Sequence, residues 1–293
     1  MARDKKSAKE DEETSLESTV NRRNYLKIAG ASATALSGSF IGSNSVAGAS
    51  GGGPVNPNEW TRVFQDTFSS GSLDNSSWEV GYGWGNTSEA SAERITSDNV
   101  AVKNNRLHLS GTHDAQEVYA GAVNTRNKVT FGPGSFVEAR LKNPFRVGFL
   151  PAFWAKPNSG DWPPEIDIME LFMTGESTED EVSSANFNIH YSSSTEPGDG
   201  STHEMLPTHY GTSSDLTDSF HVFGCAWLKD RVEWFFDGQK VGECTDETAL
   251  TSLEHGAPFY LMLNIGVDSI GDVNYNDSWG EKLVVDWVRV WEK

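Results

Sequence analysis

From Arg62 to Lys293 nearly every apolar cluster carries the period of a β-strand. "RVFQDTF", "NVAVKN", "RLHLSGT", "AGAVNTR", "GSFVEARLK" and "FLPAFWAKP" either alternate or are β-branched. The same holds for "EIDIMELFM", "SANFNIHYS", "FHVFGCAWL", "RVEWFFDG", "FYLMLNIGV" and "LVVDWVRVWEK". Runs of this kind, bounded by Gly, Pro, Asn and Asp, read as strands. Asn104-Asn105 and Asp237-Gly238 are the dipeptides that two-residue hairpins require. No convincing helical stripe accompanies them. A dozen or more strands need two packed sheets to bury their apolar faces, so the expected fold is all-β, an antiparallel sandwich of jelly-roll type.

One strand candidate conflicts with its own pattern. "WPPEIDIMELF", Trp162 to Phe172, interleaves Glu165, Asp167 and Glu170 with Ile166, Ile168, Met169 and Leu171. Strict alternation puts Glu165, Asp167 and Met169 on one face and sends Glu170 to the other with the isoleucines. One extra residue near Ile168-Met169, a β-bulge, would return Glu170 to the face of the other acids and turn Met169 into the core. Three carboxylates on one face repel, so at least one is expected to hold a proton. Two carboxyls with separated protonation states suit glycoside hydrolysis, one as nucleophile or base and the other as acid. The spacing alone is not distinctive in so acidic a chain; a solvated edge strand would share it. Its apolar context and Trp162 just before it are what single it out.

Trp84 in "GYGWGN" and Trp162 in "GDWPP" stand in Gly/Pro loops, where a core role is harder to assign. Flat aromatic rings there are candidate platforms for sugar rings.

The first 49 residues differ from the rest. Arg22-Arg23, followed by Tyr25, Leu26 and Lys27, precede a weakly apolar Ala/Gly/Ser run that ends in Ala47-Gly48-Ala49. That order is a charged region, an apolar region and an A-x-A cleavage site, in the form of a twin-arginine export signal. A disordered tail followed by an interfacial helix is the plainer alternative. The run is too polar to span a bilayer. Cleavage is expected after Ala49, then a linker over 50–58 and one domain over 59–293, exported, monomeric and off the membrane. Residues 50–293 hold 16 basic and 36 acidic side chains, a net charge of −20. Such a surface disfavours nucleic acid and anionic membranes. It suits concentrated salt, where self-repulsion is screened, although an ordinary acidic secreted protein would look similar. Cys225 and Cys244 can form a disulfide in an oxidising compartment, while the apolar "VFGCAWL" equally suits a buried thiol.

With these motifs in order, the sequence resembles the laminarinase-like members of glycoside hydrolase family 16. "EIDIMEL" is similar to their bulged Glu-x-Asp-x-x-Glu signature. "FQDTFSSGSLDNSSW", "GWGN", "GSFVEARLK", "LPAFWAKP", "PFYLMLNIGV" and "LVVDWVRVW" follow the family's order. The resemblance implies a concanavalin-like sandwich with a concave glycan cleft and retaining endo-hydrolysis of a β-linked polysaccharide. It implies Glu165 as nucleophile, Glu170 as acid/base and Asp167 as the assisting carboxylate. Trp154 and Trp162 match aromatics beside the reacting subsites, and Asn86 and His190 match sugar contacts. No cofactor is implied for catalysis. A structural calcium is implied, with the Asp286 carboxylate and the carbonyl oxygens near Thr67 and Asn105 as ligands, oxygen donors suited to that cation. Two places depart from the pattern. Gly121-Ala122 stands where Gly-Arg is common, and Asn264 is followed by Ile265-Gly266 rather than a Gly pair. The expected substrate is a β-1,3- or β-1,3-1,4-glucan, with algal galactans, transglycosylation and a non-catalytic glycan-binding module as the alternatives.

Overall fold

Hairpin chemistry fixes several registers. Asn104 and Asn105 both take positive φ, as do Asp237 and Gly238. Each pair closes a two-residue turn, one beneath the Lys103–Arg106 rung and the other beneath Phe236–Gln239. The computed structural model describes residues 53–54, 56–88, 93–114, 117–267 and 273–293. The export signal, its cleavage site and the start of the linker lie outside the described residues.

In chain order the strands begin with β1 (Thr61–Asp66), β2 (Glu79–Val80), β3 (Glu93–Ile95), β4 (Val100–Lys103), β5 (Arg106–Asp114) and β6 (Glu117–Ala120). They continue with β7 (Ala122–Asn124), β8 (Thr130–Phe131), β9 (Ser135–Lys142), β10 (Phe149–Pro157), β11 (Glu165–Glu170) and β12 (Ser184–Ser192). The last are β13 (His203–Gly211), β14 (His221–Trp227), β15 (Val232–Phe236), β16 (Gln239–Cys244), β17 (Phe259–Val267) and β18 (Lys282–Glu292). One sheet of ten strands runs β16-β15-β14-β9-β18-β5-β6-β3, with β1 on β18 and β4 on β5. The other, of eight strands, runs β13-β12-β11-β10-β17-β7-β2, with β8 on β17. Among the described residues, pairing is antiparallel except between β3 and β6, which are parallel. The sandwich expected from strand periodicity is therefore the fold.

The core lies between the sheets. Phe153, Ile166, Phe187, Ile189 and Leu261 of the eight-stranded sheet meet Val137, Phe223, Trp234 and Val288 of the other in one buried cluster. Trp78, Trp227 and Trp234 are fully buried, the ordinary fate of aromatics in a sandwich. Trp234 donates its Nε1–H to the Asp167 carbonyl at 2.9 Å, so the core grips the backbone of the acidic strand. Cys225 and Cys244 are both free and buried, so no disulfide joins them. Burial pushes both thiols up.

Two expectations need correction. A helix, Glu247–Gly256, stands where none was expected. Its signal was in its ends rather than its stripe. Asp246 caps it, accepting from the Ala249 N–H at 2.9 Å, and His255 lies in its last turn. Only Ala249, Leu250 and Leu253 supply a buried apolar face, too short a pattern to stand out. The strand β13 was also missed. It carries Pro207, whose missing N–H an edge strand tolerates, and it forms one border of the eight-stranded sheet.

Candidate active site

The conflict in "EIDIMEL" is resolved by one inserted residue. Against β12, Asp167 pairs with Asn188 and Glu170 with Asn186, three steps on one strand for two on the other. Against β10, Trp154 pairs with Asp167 and Phe153 with Met169, which leaves Ile168 as the extra residue. Ile168 and Met169 both point into the core and are fully buried. The energetics favour this register. A flat strand would bury the Glu170 carboxylate among isoleucines, at a cost of several kcal/mol. It would also expose Met169, forgoing about 1.5–3 kcal/mol of apolar burial. The bulge forfeits one ladder pair, worth about 1 kcal/mol.

With the bulge in place, the outer face of the eight-stranded sheet reads as rows. One row runs Met262, Trp154, Asp167, Asn188, Pro207. The next runs Ala122, Asn264, Ala152, Glu170, Asn186, His209. On the other side of Asp167, Glu165 pairs with His190 and His190 with Met205. Glu165, Asp167 and Glu170 are all buried.

Each acid has a partner that orients it. Trp162 Nε1–H donates to Glu165 Oε2 at 3.1 Å. Asn188 Nδ2 donates to Glu170 Oε2 at 2.8 Å. His190 Nε2 lies 3.3 Å from Asp167 Oδ2 and 3.8 Å from Glu165 Oε1. One donor atom from each of Glu165, Asp167 and His190 falls within 4.8 Å of the others. That spacing could chelate a divalent cation, but it would consume the two carboxylates the ladder holds ready, so the cluster is read as a charge network. His203, on the missed strand β13, stacks on His190 and meets its Nδ1 through Nε2 at 2.9 Å. Burial, aided by the neighbouring His190 charge, pushes His203 down to about 4, so it is neutral near pH 7. Trp162 packs against His203 at 4.7 Å between ring centroids.

Trp84 is the exposed aromatic of the site, 45% accessible. It stacks on Tyr82 at 5.0 Å and leans on Trp154 at 6.0 Å. Three anchors fix its loop from below. Asn124 Nδ2 donates to the Gly81 carbonyl, Arg126 Nη1 to Gly83 and Tyr260 Oη to Tyr82. Gly83 has φ +84° and a Cβ there would sit 2.9 Å from Tyr260 Oη, so the loop needs glycine. Trp154 Nε1–H donates to Asn264 Oδ1 at 2.7 Å.

The structure thus brings together Glu165, Asp167, Glu170, Trp154, Trp162 and His190, with Trp84 beside Trp154. Asn86 is exposed and closes the Trp84 loop, its carbonyl accepting from the Ile95 N–H. Residues that sequence reasoning missed include Asn188, His203, Arg126 and Lys156. Lys156 was legible: it lies two positions after Trp154 on a strand without irregularity against β17, and so on the same face.

Of the donors implied for calcium, the Asp286 carboxylate does not fit the ion. Asp286 Oδ1 accepts from Arg106 Nε at 3.0 Å and Oδ2 from Arg140 Nη1 at 2.6 Å. Two guanidinium charges already neutralise the one carboxylate of the proposed set and would repel a divalent cation. Both guanidinium groups also lie over the Phe220 ring, at 4.6 and 4.7 Å. The thermal unfolding temperature is therefore expected to be the same, within about 1 °C, in excess calcium and in excess chelator. A fall of several degrees on chelation would contradict this reading.

A two-sheet sandwich with bulged acids and aromatic edges on one outer face defines a jelly-roll domain of the carbohydrate-active class. Residues 60–293 match the family described as "Beta-porphyranase A-D, GH16 domain", and the chain belongs to glycoside hydrolase family 16. The chain is similar to glucan endo-1,3-beta-glucosidase A1 of Niallia circulans, 26% identical over 79% of this chain and 38% of that protein. It is similar to endo-1,3-1,4-beta-glycanase ExsH of Rhizobium meliloti, 26% identical over 53% of this chain and 30% of that protein. It thus spans only about a third of these relatives' length. The endo-beta-1,3-glucanase structure from Pyrococcus furiosus superposes with a TM-score of 0.64, at 28% identity over 80% of this chain and 94% of that one.

Proposed function

We propose that the protein is an endo-acting, retaining β-glycanase, and that its substrate is a β-1,3- or β-1,3-1,4-glucan. The observation that carries this is the bulge, which turns Glu170 onto the face of Glu165 and Asp167. A glycan-binding module would need platforms such as Trp84 but not a pair of oriented, buried glutamates. In the reaction, the Glu165 carboxylate attacks the anomeric carbon while the Glu170 carboxyl gives its proton to the departing glycosidic oxygen. The C–O bond to the leaving sugar breaks and a glycosyl ester to Glu165 forms. Glu170, now a carboxylate, takes a proton from water, whose oxygen attacks the same carbon and releases Glu165. A sugar hydroxyl in place of that water gives transglycosylation with the same residues. Trp162 N–H fixes one Glu165 oxygen, and Asp167 with His190 sets the charge beside the other.

The glucan reading rests on the names of the similar proteins. A galactan is the second reading, supported by the description of the matched family and by the floor beside Glu170. There Ala122 pairs with Asn264, and Asn264 with Ala152 next to Glu170, so two alanines flank Asn264 at the end of that row. We further propose export through the twin-arginine signal and function as a monomer in concentrated salt. The test is reducing-end release from laminarin, lichenan, agarose, carrageenan and xyloglucan at low and molar salt. The proposal expects cleavage of laminarin or lichenan, faster in molar salt. Cleavage of agarose or carrageenan alone would replace glucan by galactan, and binding without cleavage of any would overturn the enzymatic reading.

A further inference from the structure

Lys156 stands on the site face of β10, only 5% exposed. The β10–β11 ladder pairs Ala155 with Ile166, and continuing the register by one step brings Lys156 opposite Glu165. Cross-strand neighbours on one face have Cβ atoms about 4.5–5.5 Å apart. Lys156 is therefore flanked by Tyr260 of β17 on one side and Glu165 of β11 on the other. Its ammonium lies 4.7 Å from the centre of the Trp84 ring. Burying an ammonium costs several kcal/mol unless opposite charge compensates. The compensating charges around it are Glu165 foremost and Asp161 second, while Arg126 opposes it. Arg126 spends its own donors on the carbonyls of Gly83, Asn158 and Ser159. Around Glu165 stand Lys156 from β10, Asp167 from its own strand, His190 from β12 and Trp162 from the preceding loop.

We infer that Lys156 is a positioning residue for the reaction: its ammonium holds Glu165 ionised against the repulsion of Asp167, and its stem and charge hold the Trp84 platform over the floor. The inference rests on Glu165 being the nucleophile. A carboxylate that must attack as the anion gains from a fixed cation at its side, and so does its departure from the glycosyl ester, which restores that anion. Burial pushes Lys156 down to about 8, still high enough to keep it charged at neutral pH. An alternative use of the ammonium is to read a sulfate or carboxylate on the substrate. The net charge of −20 on residues 50–293, with three acids on the same face, disfavours a polyanion and makes that the weaker use.

The test is the pH profile of kcat/KM for the wild type, Lys156→Met, Lys156→Arg and Lys156→Gln, each checked for cooperative unfolding, with Glu165→Gln as control. The acid limb reports ionisation of the nucleophile in the free enzyme. In Lys156→Met the limb is expected to rise by about one pH unit, a loss of about tenfold in kcat/KM below it, since an opposite charge within about 4–6 Å moves a carboxyl by one unit or more. Lys156→Arg should keep the limb within a few tenths of a unit. If Lys156→Met does not fold, the Gln and Arg variants carry the same comparison. An unmoved limb with uniform loss would reduce Lys156 to packing, and an unmoved limb with loss only on sulfated or uronic substrates would make it a substrate reader; either overturns the inference. Activity in Glu165→Gln would instead overturn the assignment of the nucleophile.

Discussion

Glu165→Gln is expected to lower kcat by at least about 10⁴-fold while the protein stays folded and still binds glycan. Removing a nucleophile forecloses the covalent route altogether, and losses of this order or larger follow when such a group is deleted. The amide is isosteric and its carbonyl can keep accepting the Trp162 Nε1–H that Glu165 Oε2 accepts at 3.1 Å. The fold should therefore lose no more than about 1 kcal/mol, a few degrees in unfolding temperature for a domain of this size. The measurement is turnover on the cleaved polysaccharide, with thermal unfolding and affinity electrophoresis on the same variant. Activity within tenfold of the wild type would remove Glu165 from the chemistry.

Glu170→Gln is expected to be selective where Glu165→Gln is not. General acid catalysis contributes about 10²–10⁴-fold. That factor should be lost on polysaccharide, whose leaving alkoxide must be protonated. On an aryl glycoside with a nitrophenolate leaving group, bond cleavage needs no proton, so the first step should slow little. The second step still needs a base for water, and added azide should restore it by attacking the ester directly. Asn188 Nδ2, which donates to Glu170 Oε2 at 2.8 Å, can do the same to the amide oxygen, so the side chain keeps its place. Equal loss on both kinds of substrate would deny Glu170 the acid role.

What could be read from the sequence was whatever period and local chemistry determine. Alternation gave most of the strands, and Asn104-Asn105 and Asp237-Gly238 gave two turns because few residues tolerate their φ. The bulge was legible for a stronger reason. Glu170 and Met169 could not both be content on a flat strand, and one inserted residue satisfies both. The rest was hidden where neighbours are far apart in the chain. His203 lies on an edge strand with weak alternation and becomes relevant only because β13 pairs with β12. Asn188 matters through its rung opposite Asp167, which depends on strand order; spacing alone puts Lys156 on the face of Trp154, but not beside Glu165. The helix Glu247–Gly256 is set by a cap and three apolar residues, a weaker signal than a full stripe. Asp286 was expected to serve calcium, and only the structure shows Arg106 and Arg140 at its two oxygens.

The central claim is that the bulged strand presents Glu165 as the attacking carboxylate with Glu170 beside it as the acid. Mass spectrometry of a trapped intermediate tests it most directly. An activated 2-deoxy-2-fluoro oligosaccharide of the cleaved polysaccharide should leave one glycosyl group on the protein, and peptide mapping should find it on Glu165. A label on Glu170 or Asp167, or turnover without any ester and with inverted products, would contradict the account.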